Sequence, residues 1–312
     1  MQPILVTGGA GFIGSHLVEK LLANGCHVRV LDNFSTGKRD NLPQTNPTLE
    51  VLEGDITDID IVDEAAQGVS AVVHLAAVAS VQASVETPMA THQANFIGTL
   101  NLLEACRRNT IKRFLFSSSA AVYGNTKTIP TPEETPTSPL SPYAADKLAS
   151  EHYIDFYHRQ HGLGIGIFRF FNVYGPRQDP SSPYSGVISI FADRLLTDRE
   201  IVIFGDGEQT RDFIYISDLV DLLYTALTIA TLPSCPVNVG SGKSTSLHKL
   251  ITVLISLLDK NPMISYQKHR SGDIRTSLAD TTNLFKEYDF TTSTTIEQGL
   301  ENLLREHHSK LN

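Results

Sequence analysis

The sequence lacks the features that mark several classes of protein. Among its 312 residues there is no tryptophan, and no apolar run is long enough to cross a bilayer, so we expect no membrane partner. The amino terminus has no basic start, and glycines interrupt its apolar stretch, so we expect no signal peptide. The three cysteines, Cys26, Cys106 and Cys235, lie far apart and form no CxxC pair. They are therefore predicted to be reduced thiols of a cytoplasmic protein.

Basic charge is also scarce, because 34 acidic residues outnumber 25 Lys and Arg and give a formal net charge of -9. A nucleic-acid-binding surface would need clustered Lys and Arg, so we expect no nucleic-acid partner. The eleven histidines show no metal-ligand spacing, and we expect no metal. Hydrophobic residues make up 41%, which is enough for the core of one large α/β unit or of two closely joined ones.

Short β-branched segments alternate with helical segments over the first two-thirds of the sequence. The pattern predicts helices at Phe12–Asn24, at about 89–108 and at Tyr143–His161. Strands are predicted at Gln2–Thr7, His27–Leu31, Leu49–Glu53, Ala71–Leu75, Arg113–Ser117 and Gly164–Phe170. This alternation predicts an α/β fold with a doubly wound parallel sheet of the Rossmann type.

After Asn172 the pattern changes to loops rich in Pro and Ser and then to shorter elements, including a helix at Val187–Thr197 and a strand at Ile201–Phe204. We expect a smaller, mixed α/β substrate-binding lobe at the carboxyl ends of the parallel strands, where such sheets bind ligands. The predicted division assigns 1–172 and 212–239 to a cofactor-binding domain, and 173–211 and 240–312 to the substrate-binding lobe.

A glycine-rich turn, Thr7-Gly8-Gly9-Ala10-Gly11-Phe12-Ile13-Gly14, joins the first predicted strand to the first helix. Gly8 permits a tight turn, Gly11 lets a pyrophosphate approach the backbone, and Gly14 lets helix and strand pack closely. The amino end of the helix then offers free N–H groups and a positive dipole to the pyrophosphate. The turn predicts a dinucleotide site, although a plain strand–helix turn could use the same glycines.

Acidic and small residues at the ends of the next strands support that site. Asp32 lies 18 residues after Gly14, where it can accept hydrogen bonds from both ribose hydroxyls and would repel a 2′-phosphate. Asn33 follows in place of an Arg, so NAD is favoured over NADP. Asp55, in Gly54-Asp55-Ile56, is placed to reach the adenine, and the small residues of Leu75-Ala76-Ala77 let the backbone pass close to a cofactor.

A second glycine-rich segment, Gly240-Ser241-Gly242-Lys243-Ser244-Thr245, resembles a phosphate-binding P-loop. That motif needs a glycine six residues before the lysine, and position 237 is Val. We therefore predict an ordinary turn, with Ser244 or Thr245 capping a helix that begins near Leu247.

Tyr143 and Lys147 are four residues apart, which places them on one face of the predicted helix. A nearby ammonium and a positive nicotinamide ring would favour the phenolate, so Tyr143 becomes a plausible acid/base for a hydroxyl group. Ser119 follows the fifth strand, 24 residues before Tyr143. Each residue alone could be an ordinary surface or turn residue, but the order glycine turn, Asp32, Ser119, Tyr143, Lys147 is specific.

With these motifs the chain resembles, from end to end, the extended short-chain dehydrogenase/reductase family. It is most similar to the UDP-N-acetylglucosamine and UDP-glucose 4-epimerase branch. Further matching segments are Asp32-Asn33-Phe34-Ser35, Ser84-Val85-Glu86-Thr87-Pro88, Arg169-Phe170-Phe171-Asn172-Val173-Tyr174-Gly175-Pro176, Gly205-Asp206-Gly207-Glu208-Gln209-Thr210-Arg211-Asp212 and Arg270-Ser271-Gly272-Asp273.

The resemblance implies roles for individual residues. The catalytic residues would be Ser119, Tyr143 and Lys147. The NAD site would be formed by Gly8, Gly11, Phe12, Ile13, Asp32, Asn33, Ser35, Thr36, Gly37, Asp55, Ile56, Leu75, Ala76, Ala77, Asn95, Ser117, Tyr143, Lys147 and Phe170. The UDP-sugar site would be formed by Ala79, Ser80, Ser119, Tyr143, Asn172, Val187, Ile203, Arg211, Arg270, Asp273 and Ser277.

Within the implied substrate site, Arg211 and Arg270 would bind the UDP phosphates, for which the guanidinium fork is well suited, although each could instead form a surface ion pair. Asn172 would hold the diphosphate or the sugar. The uracil would lie among Val187, Ile188 and Ile201–Phe204.

The residues after Ser119 indicate which reaction is implied. Relatives that dehydrate or decarboxylate carry acidic groups there, whereas this chain has Ala120 and Ala121. That leaves 4-epimerisation, in which Tyr143 removes the O4 proton, C4 is oxidised by NAD, and the 4-keto sugar turns over and is reduced on its other face. NAD would be restored in each cycle and remain tightly bound.

The position seven residues after Arg270 borders the 2-substituent of the sugar in the family's pattern, and here it is the small Ser277. Ala79 and Ser80 are also small. The expected substrates are therefore UDP-GlcNAc and UDP-GalNAc, with UDP-Glc and UDP-Gal left open as additional ones.

Two other functions stay open from the residues alone. The first is a nucleotide-sugar dehydrogenase or reductase on the same scaffold, which would consume NAD stoichiometrically. The second is a non-catalytic NAD-binding scaffold protein. The resemblance also implies a homodimer through the helices at 89–108 and 143–161, although Phe96, Leu103, Tyr153 and Tyr157 on their outer faces could instead pack within the subunit.

Overall fold

The structure, a computed structural model, describes residues 2–179, 186–269 and 274–309. The chain forms two compact units. The first is built from Met1–Gly124, Pro136–Phe170 and Val220–Val237, and the second from Asn125–Thr135, Phe171–Leu219 and Asn238–Asn312. Within the described ranges, no helix combines the length and apolar character that a membrane span requires.

The strands of both units are short, and most of their side chains are buried. In chain order they are β1 (Ile4–Thr7), β2 (Val28–Asp32), β3 (Leu49–Glu53), β4 (Ala71–His74), β5 (Arg113–Ser119), β6 (Gly164–Phe170), β7 (Asn172–Tyr174), β8 (Ile201–Phe204), β9 (Thr210–Tyr215), β10 (Pro236–Val239), β11 (Ser244–Ser246) and β12 (Ile264–Gln267).

The helices connect these strands. In chain order they are α1 (Phe12–Ala23), α2 (Ile59–Ala66), α3 (Val81–Glu86), α4 (Pro88–His92), α5 (Gly98–Arg108), α6 (Pro142–His161), α7 (Val187–Leu196), α8 (Ile216–Thr228), α9 (Leu247–Leu258), α10 (Thr282–Tyr288) and α11 (Ile296–Ser309).

A seven-stranded sheet organises the first unit in the order β10-β6-β5-β4-β1-β2-β3. The pairs from β6 across to β3 are parallel, so each connection must cross over. Helices supply the crossovers except between β2 and β3, which are joined by a loop with a short 3-10 turn at Arg39–Asn41. The chain winds outward in both directions from β1 and β4, which are neighbours, so the crevice for a ligand opens at the carboxyl ends of these two strands. The predicted doubly wound parallel sheet is confirmed.

The second unit contains a three-stranded sheet, β11-β9-β7, and a two-stranded parallel sheet, β12-β8. β9 is the central strand of the first of these, antiparallel to β11 and parallel to β7. α7 and α11 both pack on α9, whose buried face is formed by Leu247, Leu250, Ile251 and Leu254. The smaller, mixed α/β unit that the sequence predicted is therefore present.

Several element boundaries agree with the sequence and others differ for identifiable reasons. β3, β6 and β8 have the predicted bounds, whereas β5 runs two residues further, to Ser119, because it stays paired with β6 to Phe170. α9 begins at Leu247 as expected, but its cap is Ser246, whose side chain accepts a hydrogen bond from the Lys249 N–H.

The helix predicted at about 89–108 is interrupted by a π-helical segment at Gln93–Ile97, between α4 and α5. Asn95 lies in this segment with 1% of its surface exposed. Its side chain accepts a hydrogen bond from the Val78 N–H (2.8 Å) and donates one to the Val78 carbonyl (3.1 Å). Insertions of this kind are frequent at functional sites. Here the segment contains Asn95, a predicted cofactor residue, and its hydrogen bonds reach Val78 in the chain that follows β4.

Candidate active site

The glycine-rich turn after β1 is held closed by backbone contacts that exclude side chains. Gly8 has a φ of +69°, and a Cβ there would lie 2.8 Å from the Ala76 nitrogen. A Cβ on Gly14 would lie 2.7 Å from Gly9 Cα. Gly11 forms the amino cap of α1 without any side-chain hydrogen bond to the first turn. The first-turn amides, where Phe12 and Ile13 lie, thus have no side-chain cap, as a helix that receives a diphosphate requires.

Asp32 lies at the end of β2 with 7% of its surface exposed. One carboxylate oxygen accepts a hydrogen bond from the Ala10 N–H (2.9 Å), and the other accepts one from the Phe34 N–H (2.8 Å). Each oxygen keeps a lone pair for a further donor, such as a ribose hydroxyl. The carboxylate is thereby fixed against the glycine turn.

A chain of polar contacts continues from Asp32 to β3. The Asn33 side chain donates to Asp55 Oδ2 (2.7 Å) and accepts from the Ser35 hydroxyl (2.7 Å). Burial acts to raise the pKa of Asp55, but hydrogen bonds from Thr57 and Asn33 outweigh it and the net pKa is lowered. Asp55 therefore stays an acceptor. Gly37 packs against Ala10, where a Cβ would lie 2.9 Å from the Ala10 carbonyl carbon.

His74, at the end of β4, was not among the residues singled out from the sequence, yet it joins the elements around the predicted cofactor site. The Thr99 hydroxyl donates to the Asn95 carbonyl (2.6 Å), so it accepts from His74 Nε2 (2.9 Å). His74 Nδ1 then accepts from the Thr7 hydroxyl (2.7 Å), which in turn accepts from the Ala76 N–H (3.3 Å).

This arrangement requires a neutral imidazole. Burial, assisted by the charge of Lys147, lowers the pKa of His74 well below its usual range. The signal in the sequence was a lone titratable residue within an apolar strand, Ala71–His74, where it must find buried partners.

The three predicted catalytic residues all lie in the first unit. Ser119 is the last residue of β5, and Tyr143 and Lys147 occupy successive turns of α6. Ser119 and Tyr143 are hydrogen-bonded through their side chains. Lys147 is 2% exposed, and its Nζ lies 4.7 Å from the centre of the Phe116 ring and 5.9 Å from that of Tyr143.

Burial shifts the pKa values of two members of this triad, Tyr143 and Lys147. Burial raises the pKa of Tyr143, and the hydrogen bond with Ser119 lowers it only in part. Burial also lowers the pKa of Lys147 to about 7, against the opposing charges of Asp146 and Glu151. Burial therefore acts against the phenolate in the protein alone, and the expected preference for the phenolate, which depends on a bound positive nicotinamide ring, stays a prediction. The positive nicotinamide ring in that expectation is a charge the chain does not contain.

A buried ion pair lies beside the triad. Arg169 donates to both oxygens of Glu151, at 3.0 and 2.7 Å, and to the Tyr123 hydroxyl at 2.9 Å. The Ser118 hydroxyl donates to the same carboxylate. Burial acts to lower the pKa of Arg169, but the bonds to Glu151 outweigh it and the net pKa is raised. The pair joins the end of β5 to α6 and β6.

Most of the remaining predicted cofactor and substrate residues of the first unit are half-buried or buried, and a few are exposed. Ser117 donates to the His74 carbonyl (3.1 Å), Ile56 is 6% exposed, and Phe170 ends β6 with 9% exposed. Ala79 is exposed, and the Ser80 hydroxyl caps α3 by accepting from the Ala83 N–H (2.9 Å). Leu75, Ala76 and Ala77 are half-buried, whereas Thr36 is exposed.

The second unit contains the other predicted substrate residues. Asn172 donates to the Asp212 carbonyl (3.0 Å), Arg211 donates to the Thr210 carbonyl (2.9 Å), and the Ser277 N–H donates to the same carbonyl (3.2 Å). Val187 begins α7 and is half-buried. Ile203 has no exposed surface, so on β8 only Val202 and Phe204 retain some. Arg270 and Asp273 lie outside the described residues.

Across the described ranges, no cluster of three or more His, Cys, Asp or Glu side chains is arranged to hold a metal ion. Some residues around the candidate site were not assigned a role from the sequence. They are mainly backbone N–H donors, such as those of Ala10 and Phe34, and buried side chains that hydrogen-bond their neighbours, such as His74, Glu151 and Asp212.

The profile of the NAD dependent epimerase/dehydratase family matches residues 4–240. The match spans the glycine turn, Asp32 and the Ser119–Tyr143–Lys147 triad, so the chain belongs to this family. It is an NAD-dependent enzyme of the extended short-chain dehydrogenase/reductase type, as the resemblance in the sequence implied.

Individual relatives are similar over nearly the whole chain. A UDP-glucose 4-epimerase of Mycolicibacterium smegmatis is 39% identical over 282 residues, which cover 89% of this chain and 90% of the relative. The crystal structure of a UDP-glucose 4-epimerase of Thermotoga maritima with UDP-glucose is 39% identical, with a TM-score of 0.93 and coverage of 99% of this chain and 100% of the other. A UDP-N-acetylglucosamine 4-epimerase of Methanobrevibacter ruminantium M1, in complex with UDP-N-acetylmuramic acid, is 37% identical with a TM-score of 0.94, covering 99% of each chain.

Proposed function

We propose that this protein is a UDP-hexose 4-epimerase that works with tightly bound NAD, and that UDP-GlcNAc and UDP-GalNAc are its main substrates. The observation that supports this reaction is the hydrogen bond between Ser119 and Tyr143. The two residues that follow Ser119 in the sequence have no carboxylate. Ala120 and Ala121 begin a short 3-10 turn, and the Ala121 N–H donates to Ser119 Oγ (3.2 Å). No acid stands at these two positions to expel water or to remove a second proton.

The residues of the first unit fit NAD. The uncapped amino end of α1 suits a diphosphate, and buried Asp32 has acceptor capacity left for ribose hydroxyls. When bound, NAD supplies the reversible oxidation and reduction at sugar C4. Asp55 and Asn33 would hold the adenosine half, and the Thr7–His74–Thr99 chain would fix the backbone at Ala76.

Tyr143 is the group that exchanges a proton with the sugar O4, and Ser119 hydrogen-bonds the same oxygen. Because burial raises the pKa of Tyr143, its phenol holds its proton in the protein alone and is poised to donate it. The phenolate needs an added positive charge nearby, and a protonated Lys147 one turn away supplies part of it. Acid/base groups of this kind contribute about 10²–10⁴ in rate.

The proposed UDP-sugar contacts rest on the second unit. Arg211 is half-buried at the start of β9, where its fork suits phosphate oxygens, and Asn172 lies on the neighbouring part of β7. Small, half-buried Ser277 supports acceptance of the N-acetyl group, because a larger side chain there would occupy the space beside the sugar's 2-substituent.

The decisive experiment is incubation of the purified protein with UDP-GlcNAc, and separately with UDP-Glc, without added NAD, following the C4 epimer by proton NMR. Rapid conversion of UDP-GlcNAc supports both the reaction and the preference. Conversion of UDP-Glc alone would keep the reaction and overturn the preference. If neither sugar gives an epimer and NAD supplied in a second incubation is instead reduced stoichiometrically, with a rise in absorbance at 340 nm, the protein is a net dehydrogenase.

Tyr143→Phe tests the assignment of the acid/base. The variant should lose activity by about 10²–10⁴ and keep its bound NAD, because it lacks only the exchangeable proton. Tyr153→Phe is the matched control, since Tyr153 lies on the same helix with 44% of its surface exposed. Unchanged activity in Tyr143→Phe would favour a non-catalytic scaffold protein.

We further propose a homodimer through α3, α4 and α6. Large apolar side chains on these helices are exposed: Val81 48%, Val85 56%, Met89 71%, Tyr153 44% and Phe156 48%. Leu103 and Tyr157 instead pack within the subunit, at 0% and 5% exposed. Sedimentation of the wild type and of Met89→Asp would test this, with a single monomeric species in the wild type as the contradicting result.

A further inference from the structure

The P-loop-like turn at Gly240–Gly242, in the second unit, is wrapped around the carboxylate of Asp212. Asp212 Oδ1 accepts from the Ser241 N–H (2.6 Å) and the Ser241 hydroxyl (2.7 Å). Asp212 Oδ2 accepts from the Gly242 N–H (3.0 Å) and the Ala279 N–H (3.1 Å). The side chain has no exposed surface. The turn that resembles a phosphate site is therefore filled by an internal anion.

The close packing of the turn around the Asp212 carboxylate also requires glycine at position 240. A Cβ on Gly240 would lie 2.6 Å from Asp212 Oδ2 and 2.9 Å from Ala279 Cβ. The space that a side chain would take is occupied by the carboxylate. The sequence predicted an ordinary turn because position 237 is Val, but it could not show that the amides of this turn bind an internal carboxylate.

Asp212 also joins the segments that carry three proposed UDP-sugar residues. Its own carbonyl accepts the Asn172 side chain (3.0 Å), and Arg211 precedes it on β9. Its carboxylate holds Ala279, two residues after Ser277, while Ser277 itself is fixed to the Thr210 carbonyl. No described contact of the Asp212 carboxylate involves a group outside this unit's own turns.

We infer that Asp212 is the positioning residue of the UDP-sugar site, acting on Asn172, Arg211 and Ser277 through the turn and strands it ties together. This inference rests on the proposed function. An ionised carboxylate can accept all four donors, whereas an asparagine has one acceptor oxygen and would turn an NH₂ group toward backbone N–H donors. The isosteric change thus breaks half of the network without removing volume.

The test compares Asp212→Asn with Asp218→Asn in the NAD-containing protein. Asp218 is a matched control in the same unit: it is 3% exposed and accepts from the Ser293 hydroxyl, the Thr294 N–H and the Thr294 hydroxyl at 3.0–3.1 Å. We expect Asp212→Asn to weaken UDP binding, measured by calorimetry, and to raise KM for the UDP-sugar by about tenfold or more, with kcat changed far less. Asp218→Asn should lower the thermal midpoint and leave UDP affinity and KM near the wild-type values.

Ser241→Ala keeps the inference testable if Asp212→Asn does not fold. It removes one of the four hydrogen bonds, so UDP affinity should fall by about threefold to tenfold, which corresponds to the net contribution of one ordinary hydrogen bond. Unchanged UDP affinity in both variants, or an equal loss in Asp218→Asn, would overturn the inference.

The outcomes separate this inference from the proposed function. If the wild type binds UDP but does not epimerise UDP-sugars, the proposed reaction fails, and the calorimetric comparison still decides the role of Asp212. If the wild type does not bind UDP, both are overturned. If it epimerises and Asp212→Asn keeps its KM, only the positioning role is wrong.

Discussion

The two glycine-rich turns of this chain look alike in sequence and do opposite things in the structure. In the first unit, Gly8–Gly14 leaves the amino end of α1 without a side-chain cap and sets Asp32 beside it. In the second unit, Gly240–Gly242 directs its amides to Asp212, which belongs to the protein itself. The first turn gives its Ala10 N–H to Asp32 but leads into a helix whose first-turn amides have no side-chain cap, whereas the second turn gives two amides to Asp212 and holds strands in place.

The difference shows that a sequence resembling a phosphate-binding motif predicts the backbone conformation of the turn but not which anion its N–H groups bind. Both turns present backbone N–H groups to an anion, and both reach a carboxylate of the protein, but only the first turn leads directly into a helix whose first-turn amides have no side-chain cap. The glycines of the two turns should consequently tolerate a methyl group to different degrees.

Gly14→Ala should have the largest effect. The added Cβ would meet only backbone atoms, at 2.7 Å from Gly9 Cα and 2.9 Å from the Gly8 carbonyl carbon, and backbone cannot rotate away. We expect a loss above the usual overpacking cost of about 1–3 kcal/mol, together with loss of bound NAD. Urea unfolding and the NAD released on denaturation measure both.

Gly25→Ala is the control for Gly14→Ala, because Gly25 lies past the other end of α1 with nothing within 4 Å of the added Cβ, so its positive φ of +74° adds backbone strain without a clash. It should keep its NAD. Retention of full NAD content by Gly14→Ala would contradict the role assigned to the first turn.

Gly240→Ala should cost about 1–3 kcal/mol, since the nearest atom is a side-chain oxygen of Asp212 that can shift only by giving up hydrogen bonds. Because the clash lies in the second unit, UDP affinity should fall while NAD content stays constant. We expect the two turns to be independent, and loss of NAD from this variant would contradict that.

A pH series compares the buried charge of each unit. For Lys147 the folded pKa is about 7 and the ordinary value 10.5, so between them the unfolded chain binds the proton and the folded chain does not. The free energy of unfolding therefore rises with pH in this window, by at most about 1.4 kcal/mol per unit. Urea unfolding at pH 7 and pH 9 should show the wild type gaining about 1–2 kcal/mol relative to Lys147→Met.

Asp212 should act with the opposite sign, because burial raises its pKa despite four hydrogen bonds. Its folded state holds a proton more strongly than the unfolded chain, so its contribution to the free energy of unfolding falls as pH rises above 3.8.

A Lys147→Met variant with the same pH dependence as the wild type would show that Lys147 is not the group responsible for the rise in stability between pH 7 and pH 9.

Gly242→Ala should have the smallest effect. Gly242 has a φ of +68°, which costs an alanine about 1 kcal/mol, and the nearest atom is the Thr281 hydroxyl at 3.1 Å, the end of a side chain that can move. Thermal unfolding should show a shift of a few degrees with UDP affinity nearly unchanged. A loss as large as that of Gly240→Ala would mean that backbone strain, and not contact with Asp212, governs this turn.

Sequence reasoning alone predicted the parallel sheet, the glycine turn, Asp32 and the Ser119–Tyr143–Lys147 order, because each of these depends on local periodicity or on fixed spacing along the chain. It placed β3, β6 and β8 at their observed bounds, and it pointed to the family that the comparisons confirm. The π-helical segment at Gln93–Ile97 escaped it, since that insertion is stabilised by Asn95 reaching Val78, 17 residues away.

The partners of the buried polar groups can be identified only in the folded protein. His74 needs Thr7 and Thr99 from β1 and α5, Glu151 needs Arg169 from β6, and Asp212 needs the turn at Ser241 and the segment at Ala279. The reason is physical: a buried charge or imidazole must be satisfied, but its partner comes from wherever the fold brings a donor or an acceptor within reach. Residue types along the chain indicate the need, and the packed structure alone determines which group meets it.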